Sequence, residues 1–248
     1  QSWSVFGETT WVPDPSLELT AGVRFLIEKR QSGFAALAPN AVLTGRPLIP
    51  TQVNTNGAYF SSEDSFQAVL PRFNILYRLN NGLNLYATVS KGRRSPTVQV
   101  SAASLTVPNI QVIAAENVWN YEGGIKGRVG ILSGSLGVYY QTYDNFQVSV
   151  IRDGSAVTES AGTASNLGVE AELQADVTSW FRLFGNVGFI DGGIDDKAAN
   201  GRFAGDQFRL QPKWQWAAGF TLDAPVAGGT RVFLTPSVTH RSKIYFEI

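Results

Sequence analysis

Short and long connections alternate along the whole of this chain, and each one joins two stretches in which apolar and polar residues take turns. The short links are rich in turn residues: Pro13–Ser16, Asn80–Gly82, Val129–Ile131, Asp176–Ser179 and Ala224–Gly229. Between them run the long ones, Gln31–Asp64, Gly92–Val118, Arg152–Ser165 and Asp191–Lys213. A β-sandwich in water has no reason to collect its tight turns on one side and its long loops on the other. An up-and-down barrel across an outer membrane does, because its periplasmic turns are short and its extracellular loops are long.

The stretches themselves have period 2, the signature of strands with two different faces. Leu17, Leu19, Ala21, Val23, Phe25 and Ile27 oppose Glu18, Thr20, Gly22, Arg24 and Glu28. The same alternation marks strands at Trp3–Val12, Phe66–Leu79, from Leu83, at Trp119–Val129, Leu132–Ile151, Asn166–Ala175, Phe181–Ile190, Trp214–Asp223 and Thr230–Arg241. Several are about twice the usual strand of 5–6 residues, and a tilted membrane strand needs roughly 9–11. Pro71 has no N–H to give a ladder, which puts it at a bulge or at the start of regular pairing. Asn80-Asn81-Gly82 is a hairpin turn signal. No segment has a helical period, so almost no helix is expected. Hairpins recurring at intervals of roughly 50 residues also suit propeller blades, but blades use short strands.

Composition agrees with a wall that has lipid on one side. Charged residues make up 16% of the 248, against a usual share of about 25%, while apolar residues are an ordinary 44%. The formal net charge is zero, which leaves no basic footprint for nucleic acid. With no cysteine there is neither a disulfide framework nor a thiolate metal site. No apolar run is long enough for a transmembrane helix, and a barrel does not need one. The apolar faces carry aromatics near their ends (Trp3, Trp11, Tyr77, Trp119, Trp180, Trp214), as the interfacial girdles of barrels do. The opposite faces carry acids and bases together: Glu8, Glu18, Arg24, Glu28, Arg72, Arg78, Glu122, Lys126, Arg128, Glu170, Glu172 and Arg231. A Trp-rich soluble sandwich would show the same two faces. Strand length and loop asymmetry favour the barrel.

Several runs resemble one family. Tyr86-Ala87-Thr88-Val89-Ser90-Lys91-Gly92-Arg93-Arg94-Ser95-Pro96-Thr97 is similar to the element of TonB-dependent outer-membrane receptors in which a strand ends in Ser-Lys/Arg-Gly before a Ser-Pro. Glu116-Asn117-Val118-Trp119-Asn120-Tyr121-Glu122-Gly123-Gly124-Ile125-Lys126-Gly127 resembles that family's Glu…Tyr-Glu-x-Gly-x-Lys strand. Asn166-Leu167-Gly168-Val169-Glu170-Ala171-Glu172-Leu173 resembles its Gly-Val-Glu-x-Glu strand. Val5-Phe6-Gly7-Glu8 and Leu19-Thr20-Ala21-Gly22-Val23-Arg24 also fit. The resemblance covers essentially the whole chain. It implies an all-β, up-and-down antiparallel transmembrane barrel, with residues 1–248 supplying about ten strands of a wall of about 22 that surrounds a plug. The expectation is that the plug and the TonB-contacting segment lie outside these residues.

The resemblance further implies an outer-membrane receptor for TonB-coupled, active uptake of a scarce solute such as a siderophore–iron complex. Its partners would be the lipid bilayer, the small-molecule ligand and, through the plug, TonB. The alternatives are a passive porin-like channel and, from another class, a soluble all-β binding module. Ten strands without closure would leave two open edges and an exposed apolar belt, so the isolated chain is expected to need detergent, a partner or closure into a smaller barrel.

Candidate chemistry is sparse. One histidine, His240, would have to serve any Ser-His-Asp hydrolase, and no carboxylate motif lies near it; no enzyme activity is expected, and no cofactor or metal site is called for. Asp191-Gly192-Gly193-Ile194-Asp195-Asp196 offers oxygen ligands but lacks EF-hand spacing, which favours a solvated loop turn. Arg93 and Arg94, at the outer end of a strand, have the charge to draw an anionic ligand toward the lumen. They equally suit a wall salt bridge with Glu116 or another loop acid, the reading preferred for them. Tyr59 and Phe60, in the first long loop, are candidates either to stack on a ligand or to fold that loop onto the rim.

Overall fold

The computed structural model describes residues 1–35, 37, 57–79, 82–101, 109–152 and 155–246. In chain order the strands are β1 (Ser2–Asp14), β2 (Leu17–Phe34), β3 (Phe60–Arg78), β4 (Leu83–Arg94), β5 (Thr97–Ser101), β6 (Asn109–Ile113), β7 (Glu116–Val129) and β8 (Leu132–Asp144). There follow β9 (Gln147–Arg152), β10 (Ser155–Ser160), β11 (Ala164–Asp176), β12 (Phe181–Ile194), β13 (Trp214–Pro225), β14 (Arg231–Leu234) and β15 (Ser237–Arg241). Two short 3₁₀ turns, Ala198–Phe203 and Ala227–Gly229, are the helical residues described.

One antiparallel sheet holds eleven of these segments in the order β1-β2-β3-β4-β7-β8-β11-β12-β13-β14, with β15 also on β13. The small hairpins β5–β6 and β9–β10 stand outside it. β14 and β15 are one crossing of the wall. Leu222 pairs with Leu234 and Gly219 with Ser237 in the same register, and Pro236 supplies the interruption because it has no N–H for the ladder. Its carbonyl still accepts from Phe220 N at 3.2 Å. Among the described residues the wall therefore has ten crossings, as the alternation predicts, bounded by β1 and β14–β15.

Register turns the period-2 reading into two surfaces. Trp11, Leu19, Ile75, Ala87, Gly123, Val138, Val169, Phe189 and Trp214 face one another strand by strand. So do Leu17, Tyr77, Leu85, Ile125, Leu136, Ala171, Val187, Trp216 and His240. These rows are apolar almost throughout, and large side chains along them, among them Ile75, Val138, Leu85, Leu136, Trp216 and Trp214, are exposed on their outer side. An apolar band this wide is not stable against water. It is the lipid-facing belt of a barrel. The opposite surface has rows such as Glu8, Gly22, Arg72, Ser90, Asn120, Gln141, Asn166 and Gly192.

The inner surface is fitted together by aromatic rings over glycines. Tyr86 lies across Gly124, where a Cβ would come within 2.8 Å of its ring, and its hydroxyl donates to Glu122 Oε1 at 2.9 Å. Tyr139 covers Gly168 on the next strand so closely that no side chain fits there. Covering a strand glycine with a neighbouring ring restores the packing its missing side chain forfeits.

The structure corrects several boundaries. The strand expected at Leu132–Ile151 stops at Asp144, and Gln147–Arg152 folds away as β9. Asn145 makes the break by adopting φ +55°, which asparagine tolerates better than most residues. The first long link is shorter than Gln31–Asp64 because β2 and β3 continue to pair as far as Phe34 and Phe60. Residues 191–194 are not a loop turn but the end of β12. Pro71 sits one residue beyond the last β3–β4 pair, Arg72–Ser90. Of the Asn80-Asn81-Gly82 turn, the two asparagines fall outside the described residues; Gly82 has φ +80°, as a tight hairpin requires.

Candidate functional site

The candidate residues lie at the outer ends of the strands and in the hairpins that pack on them. β4 loses β3 as a partner beyond Ser90, so its last residues are free to meet other elements. Arg93 then turns into the protein, where 4% of its side chain stays exposed and its guanidinium lies 3.6 Å from Glu28 on β2. Ser95 Oγ donates to Glu28 Oε1 at 2.6 Å and Arg30 donates to the same oxygen at 2.9 Å. Glu28 is thus the buried acid around which β2, β4 and the start of β5 meet.

Arg94 points the other way. It donates to the Gln147 carbonyl at 3.0 Å and lies 3.8 Å from Glu116. Glu116 in turn accepts from Gln147 N at 2.8 Å. Both arginines are therefore engaged by the wall and loops, Arg94 with the acid expected for it and Arg93 with an acid 65 residues away in sequence. Arg94 keeps more than half of its side chain exposed; Arg93 does not.

Tyr59 and Phe60 are not in mid-loop. Phe60 opens β3 and pairs with Phe34, and the Tyr59 hydroxyl occupies the place a side chain on Gly33 would need, 2.8 Å from its ideal Cβ. Tyr59 is 65% exposed, at the outer end of the β2–β3 hairpin. The structure does not bring these two residues together with Arg93 and Arg94.

Sequence reasoning missed a cluster beneath the third and fourth outer links. Phe146 and Phe208 stack at 4.7 Å between ring centres, and Tyr143 meets both of them edge to face. Below them runs an amide ladder on three neighbouring strands: Gln141 Nε2 donates to Asn120 Oδ1, Tyr143 Oη donates to Gln141 Oε1, and Asn166 Nδ2 donates to the same Gln141 oxygen. The available signal was that Asn120, Gln141 and Asn166 all fall on polar faces, but their alignment needs the register.

Asp195 belongs to a second network at the outer end of β12. Its carboxylate accepts from Thr163 Oγ1, Ser165 Oγ and Lys197 Nζ, each at 2.8 Å. Burial would push this carboxyl up, but the hydrogen bonds from Lys197, Thr163 and Ser165 outweigh it and hold it below its ordinary value. Asp191 pairs with Lys213 at 2.8 Å. Among the described residues no group of three or more His, Asp or Glu is placed to hold a metal ion. His240 stacks on Trp216 at 5.6 Å.

An antiparallel wall with an apolar outer belt, a polar inner face, short turns at one end and long hairpins at the other is the wall of an outer-membrane β-barrel. The model of the family described as TonB dependent receptor-like, beta-barrel matches residues 1–243, and this chain belongs to that family. It is a family of outer-membrane receptors, not of enzymes.

Solved structures share the fold. The ferric yersiniabactin uptake receptor FyuA from Yersinia pestis superposes with a TM-score of 0.78 at 18% identity, covering 99% of this chain and 35% of that one. The ferric preacinetobactin receptor BauA from Acinetobacter baumannii gives 0.65 at 19%, covering 98% and 32%. The alcaligin outer membrane receptor FauA from Bordetella pertussis gives 0.64 at 14%, covering 98% and 37%. The chain spans about a third of the length of these relatives.

Proposed function

We propose that this wall is part of a larger plugged barrel that takes up a scarce solute, such as a siderophore–iron complex, by TonB-coupled active transport. The observation that carries the reading is the inner face at mid-wall. Glu170 and Glu172 point into the lumen from β11, and among the described residues none of the ion pairs reaches them. Among the described residues, the hydrogen bond that Glu122, two strands away, accepts comes from the Tyr86 hydroxyl. Carboxylates grouped on a lumenal wall suit an occupant that brings its own cations, and barrels of about 22 strands have a plugged lumen. Such a plug would come from residues other than this wall and would carry the contact with TonB.

The outer hairpins are the part that would meet the ligand. With Arg93 buried against Glu28, the exposed candidates in this part of the barrel are Arg94 and, on a separate hairpin, Tyr59; Phe60 would act by holding Tyr59 at the rim. FyuA is a ferric yersiniabactin uptake receptor and BauA a ferric preacinetobactin receptor, which makes a ferric chelate the first substrate class to test.

The test is uptake of an iron-55-labelled chelate panel by cells that carry the full-length gene, with and without TonB. Uptake that disappears without TonB supports the proposal. Uptake that persists without TonB, accompanied by steady ion conductance in planar bilayers, would establish a passive channel instead.

A further inference from the structure

The apolar belt is not even. Across β11, β12 and β13 it sinks into a groove of about 460 Å³. The floor follows from register. Leu173 pairs with Gly185 and Gly185 with Ala218, so two neighbouring positions of that row carry only a hydrogen and a methyl group. The adjoining row of Ala171, Val187 and Trp216 and the side chain of Leu173 make the walls, and Leu173 and Trp216 stay 55% and 40% exposed. On the inner face Tyr86 and Tyr139 cover Gly124 and Gly168. No ring comes as close to Gly185, where the nearest atoms a Cβ would meet belong to Ala217 and Ala218, at 3.4 Å and beyond.

The two ends of the groove differ. Toward the short turns Leu183 pairs with Phe220, and the rings of Phe181 and Phe220 stand 5.6 Å apart at its foot. Toward the long links it runs up to Trp216, with His240 paired to Trp216 on the next strand and stacked on its ring. One row farther out, the rings of Phe189 and Trp214 lie 4.6 Å apart. Indole and imidazole are apolar plates with a polar N–H edge, a type of side chain that settles at headgroup level. The outer end of the groove therefore meets the polar heads of the outer leaflet, and its length runs beside their chains.

We propose that this groove is a lipid site that holds one acyl chain of an outer-leaflet glycolipid, with the phosphorylated sugar head above it at Trp216 and His240. The groove is continuous with the belt and opens on the same side, so lipid is what surrounds it. Lipid tails are as apolar as the belt, so transfer out of water does not hold the chain there. Dispersion does: a chain on a flat belt is touched from one side, a chain in the groove from three, and an unfilled groove leaves its lining without partner atoms. The ring N–H groups of Trp216 and His240 add donors for a phosphate or ester oxygen. A second barrel is convex and would span the groove on its ridges without filling it.

The test is native mass spectrometry of the full-length protein, extracted from its own outer membranes in a mild detergent. The parent should carry a bound species with the mass of a phosphorylated glycolipid. Gly185→Leu fills the floor of the groove and should abolish that species. Ala218→Leu does the same from the next strand, and serves alone should Gly185→Leu not assemble into a heat-modifiable barrel. Gly7→Leu, on the belt but outside the groove, should keep it. His240→Ala should release it at lower collision energy than the parent. A parent that retains no lipid would overturn the proposal. So would bound lipid that survives both groove substitutions, a glycerophospholipid in place of the glycolipid, or a dimer of barrels that the groove substitutions dissociate.

Discussion

Arg93 and Glu28 form an ion pair at 3.6 Å in which neither side chain keeps more than 7% of its surface exposed. Neither Arg93 Nη1 nor Glu28 Oε2 has a hydrogen-bond partner, so charge neutralisation is what these two atoms give each other. Arg94, its neighbour in sequence, has 54% of its side chain exposed beside Glu116. Replacing Arg93 by alanine leaves a buried carboxylate held only by Ser95 and Arg30. The expected cost is about 3 kcal/mol, read as a lower temperature for loss of heat-modifiable migration. Arg94→Ala should cost less than about 1 kcal/mol. Equal effects of the two substitutions would contradict the assignment.

Glycines on the inner face should differ sharply from those on the belt. Gly168→Ala drives a methyl into the Tyr139 ring, whereas Gly7→Ala meets nothing within 4 Å. The first is expected to destabilise by about 1–3 kcal/mol and the second to be near neutral, by urea unfolding of the full-length protein in lipid vesicles. Adding Tyr139→Ala to Gly168→Ala should recover part of the loss.

The two faces were legible in the sequence because period 2 survives any uncertainty in pairing. Leu17 to Ile27 announce their side whatever strand lies next to them. What the sequence did not show is where strands leave the wall. Gln147 to Ile151 keep the alternation of the strand before them, so the break at Asn145 has no local pattern to reveal it. The roles of Arg93 and Arg94 were half legible. Glu116 opens the next wall strand after the loop and was a natural partner, but Glu28 reaches Arg93 only through the three-dimensional packing of β5 beside β2. The Asn120–Gln141–Asn166 ladder depends on the register of three strands, which no single strand encodes.

Acid should loosen the outer end of β12 before it affects the wall. Asp195 titrates below its ordinary value in the folded protein, so the stability it contributes is complete above the unfolded carboxyl value. That contribution is lost as pH falls through the lower folded value, in the region below about pH 4. Amide exchange of residues 195–206 should accelerate there relative to β7 and β8. Asp195→Asn should remove the pH dependence of that difference, and a difference that persists in the variant would assign it to another group.

Charge placed on the belt should be costly, and charge placed on the lumen should not. Val138→Arg lies in the apolar row between Gly123 and Val169 and is expected to cost about 2–4 kcal/mol if it sits near the bilayer midplane. Ser135→Arg, on the opposite face of the same strand, should change folding into vesicles by less than about 1 kcal/mol.

The most direct test of the wall itself is labelling along β11 of the full-length protein in native outer membranes, one cysteine at a time from Val169 to Gln174. The account predicts strict alternation. Labels at Glu170, Glu172 and Gln174 should be relaxed by a water-soluble nickel chelate, and those at Val169, Ala171 and Leu173 by oxygen dissolved in lipid. Equal access of the nickel chelate to both sets would contradict a membrane wall with a lumenal inner face.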